Sequence, residues 1–360
     1  MTTDLDELLA DSLQRRAGGA DVDPAALLNS AVERGRRIRR RRRVVVAGSA
    51  FVATAAVVVG LAVAAGMPRP PAPAQSAGPA PAPSVVPSTA EPHHGALWMP
   101  PAADQPGALS RPDLVGSDTS VLHFSINGMT EGAESARWAS SKDFENAEFF
   151  NAAGTKSFAV NVARSSDDFG KPSTVGDAQA VTVNGRPATI AAMTHAGTWI
   201  VTWQPADGFW AQAFSSGYDR ADALRLAGSI RFDQATRCVV PFRLTAMPPG
   251  LAVQQCTVSL SNSGPHPGLQ DAFLQVGDGR RYADMSAYNG QDASKAFRGD
   301  VTVGRYRVLR QGGTWVFLAK PYFGNLSTEV GGHGPIPESA ARALIAGFRP
   351  VGTPDDPLSW

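Results

Sequence analysis

Six histidines (His93, His94, His123, His195, His266 and His333) and two cysteines (Cys238 and Cys256) carry the most versatile side-chain chemistry of this chain. A zinc site needs three or four such ligands at close spacing. The histidines are scattered, no acid cluster lies at helical spacing from any of them, and the His93-His94 pair has no third ligand nearby. No G-x-S-x-G elbow, Walker loop, H-E-x-x-H or C-x-x-C motif is present. Asp207, Asp219 and Asp222 fall in turns or helix starts, where capping explains them, and Ser215-Ser216-Gly217 reads as a turn. These observations predict a non-enzymatic protein with no catalytic residue, cofactor or metal. Sequence alone leaves a spatial triad of distant residues open.

Cys238 and Cys256 predict a disulfide, because they are an even pair in the half of the chain expected outside the cell and lack redox spacing. Closing a loop of that size is worth about 3 kcal/mol in the chain-entropy model.

That topology comes from Val44 to Gly66, 23 residues without a charge. As a helix they extend about 34 Å, enough for a hydrocarbon core of about 30 Å. Net charge is only +1, yet ten arginines precede residue 44. Arg39, Arg40, Arg41, Arg42 and Arg43 abut the apolar run, whereas Arg69 is the one basic residue close to its other end. The positive-inside rule then places the N-terminus in the cytoplasm and the C-terminal domain outside a plasma membrane. The rival reading is a cleaved signal, with Ala62-Val63-Ala64 as cleavage site or an arginine pair as export signal. The apolar run and the region before it are both too long for that. A row of small residues, Ala56, Gly60 and Ala64, would let two such helices approach closely.

The tail, residues 1–43, carries two short amphipathic patterns. Leu5, Leu8 and Leu9 share one face of the first, and Leu27 and Leu28 lie on the second, which opens at Asp23-Pro24. A tail of this length has no core of its own, so its leucines suit a partner's groove or the membrane surface. The arginines face lipid headgroups and are poorly placed to track a duplex, so no nucleic-acid partner is expected. Residues 67–115 begin with nine prolines among 25 residues from Pro68 to Pro92, a composition that favours an extended spacer.

Beyond the spacer the chain repeats. Val181-Thr182-Val183 answers Val301-Thr302-Val303, Gly185-Arg186 answers Gly304-Arg305, Gly197-Thr198-Trp199 answers Gly313-Thr314-Trp315, and Ala227-Gly228 answers Ala346-Gly347. The offset of 116–120 residues is one domain long, which indicates tandem duplication. Alternating strands run from Val181 to Phe214, and Asp219 caps a closing helix; a second helix opens at Pro337-Glu338. Trp199 and Trp315 read as core residues. The alternation of Val121, His123 and Ser125 against Leu122, Phe124 and Ile126 extends the first sheet towards residue 118. The fold class predicted is α+β: a single transmembrane helix plus two tandem antiparallel-sheet modules, each closed by a C-terminal helix. The segments are a tail (1–43), a membrane helix (44–66), a linker (67–115), module 1 (116–235), module 2 (236–352) and an end segment (353–360).

The stretches DPAALLNSAVERGRRIRRRRR and NGRPATI…GTWIVTWQPADGFWAQAFSSGYDRADALRLAGSI carry a resemblance. The layout resembles actinobacterial single-pass membrane regulators of the sigma-factor-associated, anti-sigma-like type. Its outer part also looks like the exported domains of sporulation and envelope-stress regulators. Zinc-type anti-sigma factors carry H-x-x-x-C-x-x-C, whereas residues 1–43 hold neither His nor Cys. The resemblance therefore implies a zinc-free version, with helices at 3–16 and 24–38 contacting a cytoplasmic sigma factor or other regulator. The expected function is an envelope regulator or sensor, with the lipid bilayer and an envelope protein or ligand as its other partners. The alternative is an anchored binding or scaffolding protein whose tail only sets orientation.

Overall fold

Strands whose side chains alternate between one buried and one half-exposed face dominate the computed structural model. It describes residues 97–360 except 131, 171, 196, 264–266, 290–296, 329 and 331–332. The expected membrane run, the tail leucines, Arg39 to Arg43 and His93-His94 lie outside the described residues. Among the described residues no helix is long and apolar enough to cross a membrane.

The first half contributes β1 (Val121–Leu122), β2 (Ala133–Ser141), β3 (Phe144–Asn151), β4 (Ser157–Ala163), β5 (Thr174–Val183), β6 (Arg186–Met193), β7 (Thr198–Ala206), β8 (Phe209–Ser216) and the helix α1 (Arg220–Gly228). After β9 (Thr236–Arg237) and β10 (Phe242–Leu244) the same series recurs. It comprises β11 (Ala252–Ser261), β12 (Gly268–Gly277), β13 (Arg281–Asn289), β14 (Val301–Val303), β15 (Tyr306–Gln311), β16 (Thr314–Ala319) and β17 (Tyr322–Ser327). The short β18 (Gly334–Pro335), the helix α2 (Glu338–Gly347) and β19 (Phe348–Pro350) complete the chain's regular structure.

Within each half, three strands meander, four more meander, and the last of the four returns to pair with the third. The orders β2-β3-β4-β8-β7-β6-β5 and β11-β12-β13-β17-β16-β15-β14 are the same path. The halves then join through their first strands. β2 and β11 pair antiparallel over seven residues, from Ser135↔Ser261 to Ser141↔Gln255, and make one sheet of 15 strands counting β18.

This corrects the predicted fold class. The same strand path occurs twice, but the two runs are not two modules, each with its own closed sheet. They are halves of one mostly-sheet domain carrying two short α-helices among the described residues. The physical reason is that an internal repeat reports on each half's path and says nothing about its outermost strand. Left alone, β2 and β11 would be bare edges with unpaired backbone groups, and pairing them satisfies both.

One face of the sheet holds the core. Trp138, Phe158, Val160, Trp203, Phe209 and Val258 lie on it, and α1 and α2 pack there through Ala223, Leu226 and Ala227, and through Ala341, Leu344 and Ile345. A single aromatic residue after each helix fills the centre of its half. Phe232 lies 5.4 Å from Phe209 and 6.2 Å from Trp203 between ring centroids. Phe348 stacks on Phe242 at 4.6 Å and meets Phe317 edge-on at 5.1 Å.

Two further expectations change. Residues 97–115, expected as spacer, instead bury Leu97, Met99, Ala108 and Val115 in the core. The proline-dense run ends at Pro92, and the apolar Leu97-Trp98-Met99 that follows has surface to bury. Residues 121–126 are not a half-exposed strand of the main sheet. All six are buried; Val121 and Leu122 pair with β9, and Ser125 bridges to Arg231. A segment enclosed on both sides shows no alternation of burial, so the period-two pattern of its sequence misplaced it.

Cys238 and Cys256 are disulfide-bonded, with Cα atoms 6.1 Å apart. Cys256 lies on β11 opposite Ser140 of β2, and the Cys238 amide donates to Ser120 O at 2.7 Å. The bridge thus ties the connection between the copies to the strand that joins them.

Replacing both cysteines with serine should lower unfolding free energy by about 3 kcal/mol, read as a shift in urea midpoint. Phe348→Ala should cost about 3–5 kcal/mol. An equal loss from Phe323→Ala, on the half-buried opposite face, would show that Phe348 has no special place in the core.

Candidate functional site

Trp315 marks the candidate site. The residue is on β16, opposite Arg310 of β15 and Leu326 of β17, and only 2% of it is exposed. Two guanidinium groups cover the indole: Arg310 Cζ is 4.6 Å from the ring centroid and Arg342 Cζ, from α2, is 5.5 Å away. Glu338, the first residue of α2, holds both. Its Oε2 accepts from Arg310 Nη1 at 3.1 Å, and its Oε1 accepts from Arg342 Nε at 3.0 Å. Arginine over an aromatic face gains about 0.5–1 kcal/mol when exposed.

A cleft of about 280 Å³ opens beside this stack, lined by Arg310, Gly312, Gly313, Trp315, Thr328 and Ile336 among others. Gly312 takes φ +57°, a conformation that side chains other than glycine's rarely adopt, so the β15–β16 turn stays narrow. Thr328 donates both its amide (2.9 Å) and its hydroxyl (3.0 Å) to Gly313 O, fixing the cleft wall. The cleft therefore offers one partly neutralised cation, Arg310, with Glu338 beside it, an edge of the tryptophan and exposed turn backbone. That is binding chemistry for a group with an aromatic or anionic character, with no nucleophile in it.

The duplicate half provides an internal comparison. Trp199 stands where Trp315 does, but its partner across the strand pair is Ala192 where the second half has Arg310. Aligned on the N-caps Asp219 and Pro337, which places the buried Ala223, Leu226 and Ala227 on Ala341, Leu344 and Ile345, Arg342 and Glu338 fall on Leu224 and Arg220. The fold is kept without the arginines, so their addition in the second half is not a requirement of the architecture. The first half has a recess elsewhere, about 290 Å³, lined by Met129, Phe149, Tyr218, Arg225 and Leu226. Lys156 lies 5.1 Å above the Tyr218 ring there.

Both tryptophans do pack with the core, Trp315 fully and Trp199 in part. Reading the sequence for catalytic or metal motifs missed Arg310, Glu338 and Arg342, since none belongs to such a motif. Comparing the two copies position by position would have found them.

The structure also brings a serine, a histidine and a carboxylate together. Ser140 and Glu145 are opposite one another on β2 and β3, and Glu145 Oε1 lies 2.7 Å from His123 Nδ1. All three are buried. Glu145 also accepts from the amides of Gly116 (2.9 Å) and His123 (2.6 Å), while the Ser140 hydroxyl donates to Val121 O and Asp118 O at 2.8 and 3.0 Å. A hydroxyl sealed in the core and directed at backbone carbonyls has no substrate to attack. This constellation locks residues 116–123 onto the sheet, as a buried carboxylate with satisfied lone pairs does. Among the described residues no three His, Cys, Asp or Glu side chains are grouped to hold a metal ion.

Hydrogen bonds from Arg342, with the charge of Arg310, hold the Glu338 carboxyl below its ordinary value near 4.5. A depressed carboxylate contributes stability above its unfolded pKa and loses it as pH falls through the folded one. The Arg310–Glu338–Arg342 arrangement should therefore persist at neutral pH and open only below pH 4.5, seen as a change in Trp315 fluorescence. In Glu338→Gln that acid transition should disappear; an unchanged transition would assign it to another group.

Comparison with known proteins adds little to this geometry. No family model matches the chain, and no curated protein does. Among solved structures it is similar to MucB in complex with periplasmic MucA, at 15% identity over 62% of this chain and 95% of that one, with a TM-score of 0.21. A Pseudomonas aeruginosa MucA/MucB complex gives 13% identity over 61% and 94%, with a TM-score of 0.20. MucB alone gives 14% over 67% and 96%, with a TM-score of 0.19. Likeness at this level carries no statement about the function of this chain.

Proposed function

We propose that this chain is a non-enzymatic regulator or sensor of the cell envelope. In this reading residues 44–66 tether it to the plasma membrane, the sheet domain faces outward, and the tail faces the cytoplasm. The Trp315 cleft takes up an envelope ligand or protein segment. Leu5, Leu8, Leu9, Leu27 and Leu28 engage a cytoplasmic sigma factor or another regulator.

The observation that carries the reading is the asymmetry between the copies. Arg310, Glu338 and Arg342 form a charged cap over Trp315 at the border of the cleft, where the first half has Ala192, Arg220 and Leu224. A duplicated fold that gains a paired cluster of charges at one site supports recognition there. Membrane attachment and cytoplasmic signalling are supported by the sequence: an uncharged 23-residue run behind five consecutive arginines, and capped leucine patterns beyond what orientation requires.

Two variants of the full chain test both ends in its native host, with genome-wide transcript levels as readout. Deleting residues 1–32 and substituting Arg310→Ala with Arg342→Ala should each reproduce the profile of a strain lacking the protein. A tail deletion indistinguishable from wild type would leave an anchored scaffold with no signalling role. An arginine double variant indistinguishable from wild type would remove the cleft from the proposal.

A further inference from the structure

The two ends of the sheet differ more than the duplication requires. Among the described residues one edge is β14, three residues long, and the other is β5, ten residues long and paired there with β6 alone. The second half shows that three residues suffice to close this meander, so the length of β5 is additional to what the fold needs.

β5 also lacks most of the devices that keep strand edges from pairing. Thr174 to Val183 contains no proline, lysine or arginine, and its one charge is Asp177. Thr174, Val175, Gln179, Ala180 and Thr182 are exposed, and Val175 is 60% exposed. The register shifts between Val175 and Gln179, a bulge that interrupts the edge. Beyond it, Gln179 to Val183 pair regularly with Ile190 to Arg186, leaving five consecutive residues with a straight outer edge.

We propose that β5 is a dimerisation edge, and that its occupant is the β5 strand of a second copy of this chain, paired antiparallel across a two-fold axis. Three observations select that occupant. The chain already joins two copies of this unit edge to edge and antiparallel, through β2 and β11. Pairing β5 with itself is isologous and closes at two copies, whereas pairing it with the three-residue β14 would be heterologous and open-ended. Finally, Ala56, Gly60 and Ala64 form a small-residue row in the apolar run, which lets two such segments approach in the same membrane. Shared anchoring raises the effective concentration, so a short pairing edge is enough. This dimer is independent of ligand uptake at Trp315.

The test is analytical ultracentrifugation of the full chain in detergent. The wild type should show a reversible dimer, and Ala180→Lys with Thr182→Lys should weaken it at least tenfold, because each places a charge on the edge. Thr302→Lys on β14 should leave the dimer unchanged, and Gly60→Leu should weaken but not abolish it. A wild type that stays monomeric throughout would overturn the proposal. So would a dimer indifferent to the lysines and abolished by Gly60→Leu. Should the lysine pair unfold the domain, hydrogen exchange of wild-type residues 179–183 decides instead. Protection that rises with protein concentration supports the edge, and its absence rejects it.

Discussion

The antiparallel pairing of β2 with β11 is the constraint on which the molecule rests. Each half of the chain folds along the same path, and each would end at an open strand. Seven residue pairs close both edges at once, and they place Trp138 opposite Val258 at the middle of the core face. The disulfide reinforces the same place, because Cys256 is on the joining strand and Cys238 is on the connection leading to it. Locks on the other side converge there too: the Ser140 hydroxyl, on β2, donates to the carbonyls of Asp118 and Val121, and Glu145 accepts from the amides of Gly116 and His123. The N-terminal segment, the junction and the inter-copy connection are thus one cooperative assembly.

Duplication separates what the fold needs from what it does not. Both halves keep a tryptophan at the start of the third strand of the second meander, a nine- or ten-residue helix ending in Ala-Gly, and an aromatic residue after it to fill the centre. Those shared features are packing. Two differences bear on recognition, the charged cap over Trp315 and the length of β5. Both are on the surface, and both offer recognition chemistry: one through cations beside a cleft, the other through unpaired backbone.

Much of each half was legible in the sequence. Val181-Thr182-Val183 and Val301-Thr302-Val303 are indeed equivalent strands, Asp219 does cap α1, and the Asn184-Gly185 turn does make a hairpin. The turn itself aligns with Gly304-Arg305, one residue away from the pairing of Gly185-Arg186 with Gly304-Arg305 that residue identity suggested. The repeat is longer than those matches. Phe124-Ser125-Ile126 and Phe242-Arg243-Leu244 are the opening segments of the two copies, each bridged to the chain just after the helix. Spacing at 118 residues and the following Gly132 and Gly250 would have revealed it. What the sequence could not show was the junction, because strand pairing between repeats leaves no local pattern. The cap over Trp315 was hidden for a related reason: Arg310, Glu338 and Arg342 come from different elements and meet only when α2 lies across β15 and β16.

Chemical denaturation of the disulfide-intact sheet domain, residues 93–360, tests the single fused sheet most directly. This part carries its own core and forms a compact unit. Followed by tryptophan fluorescence and by far-ultraviolet circular dichroism, it should unfold in one coincident transition, because neither half keeps its edge closed without the other. Two separated transitions, one for each half, would contradict the account.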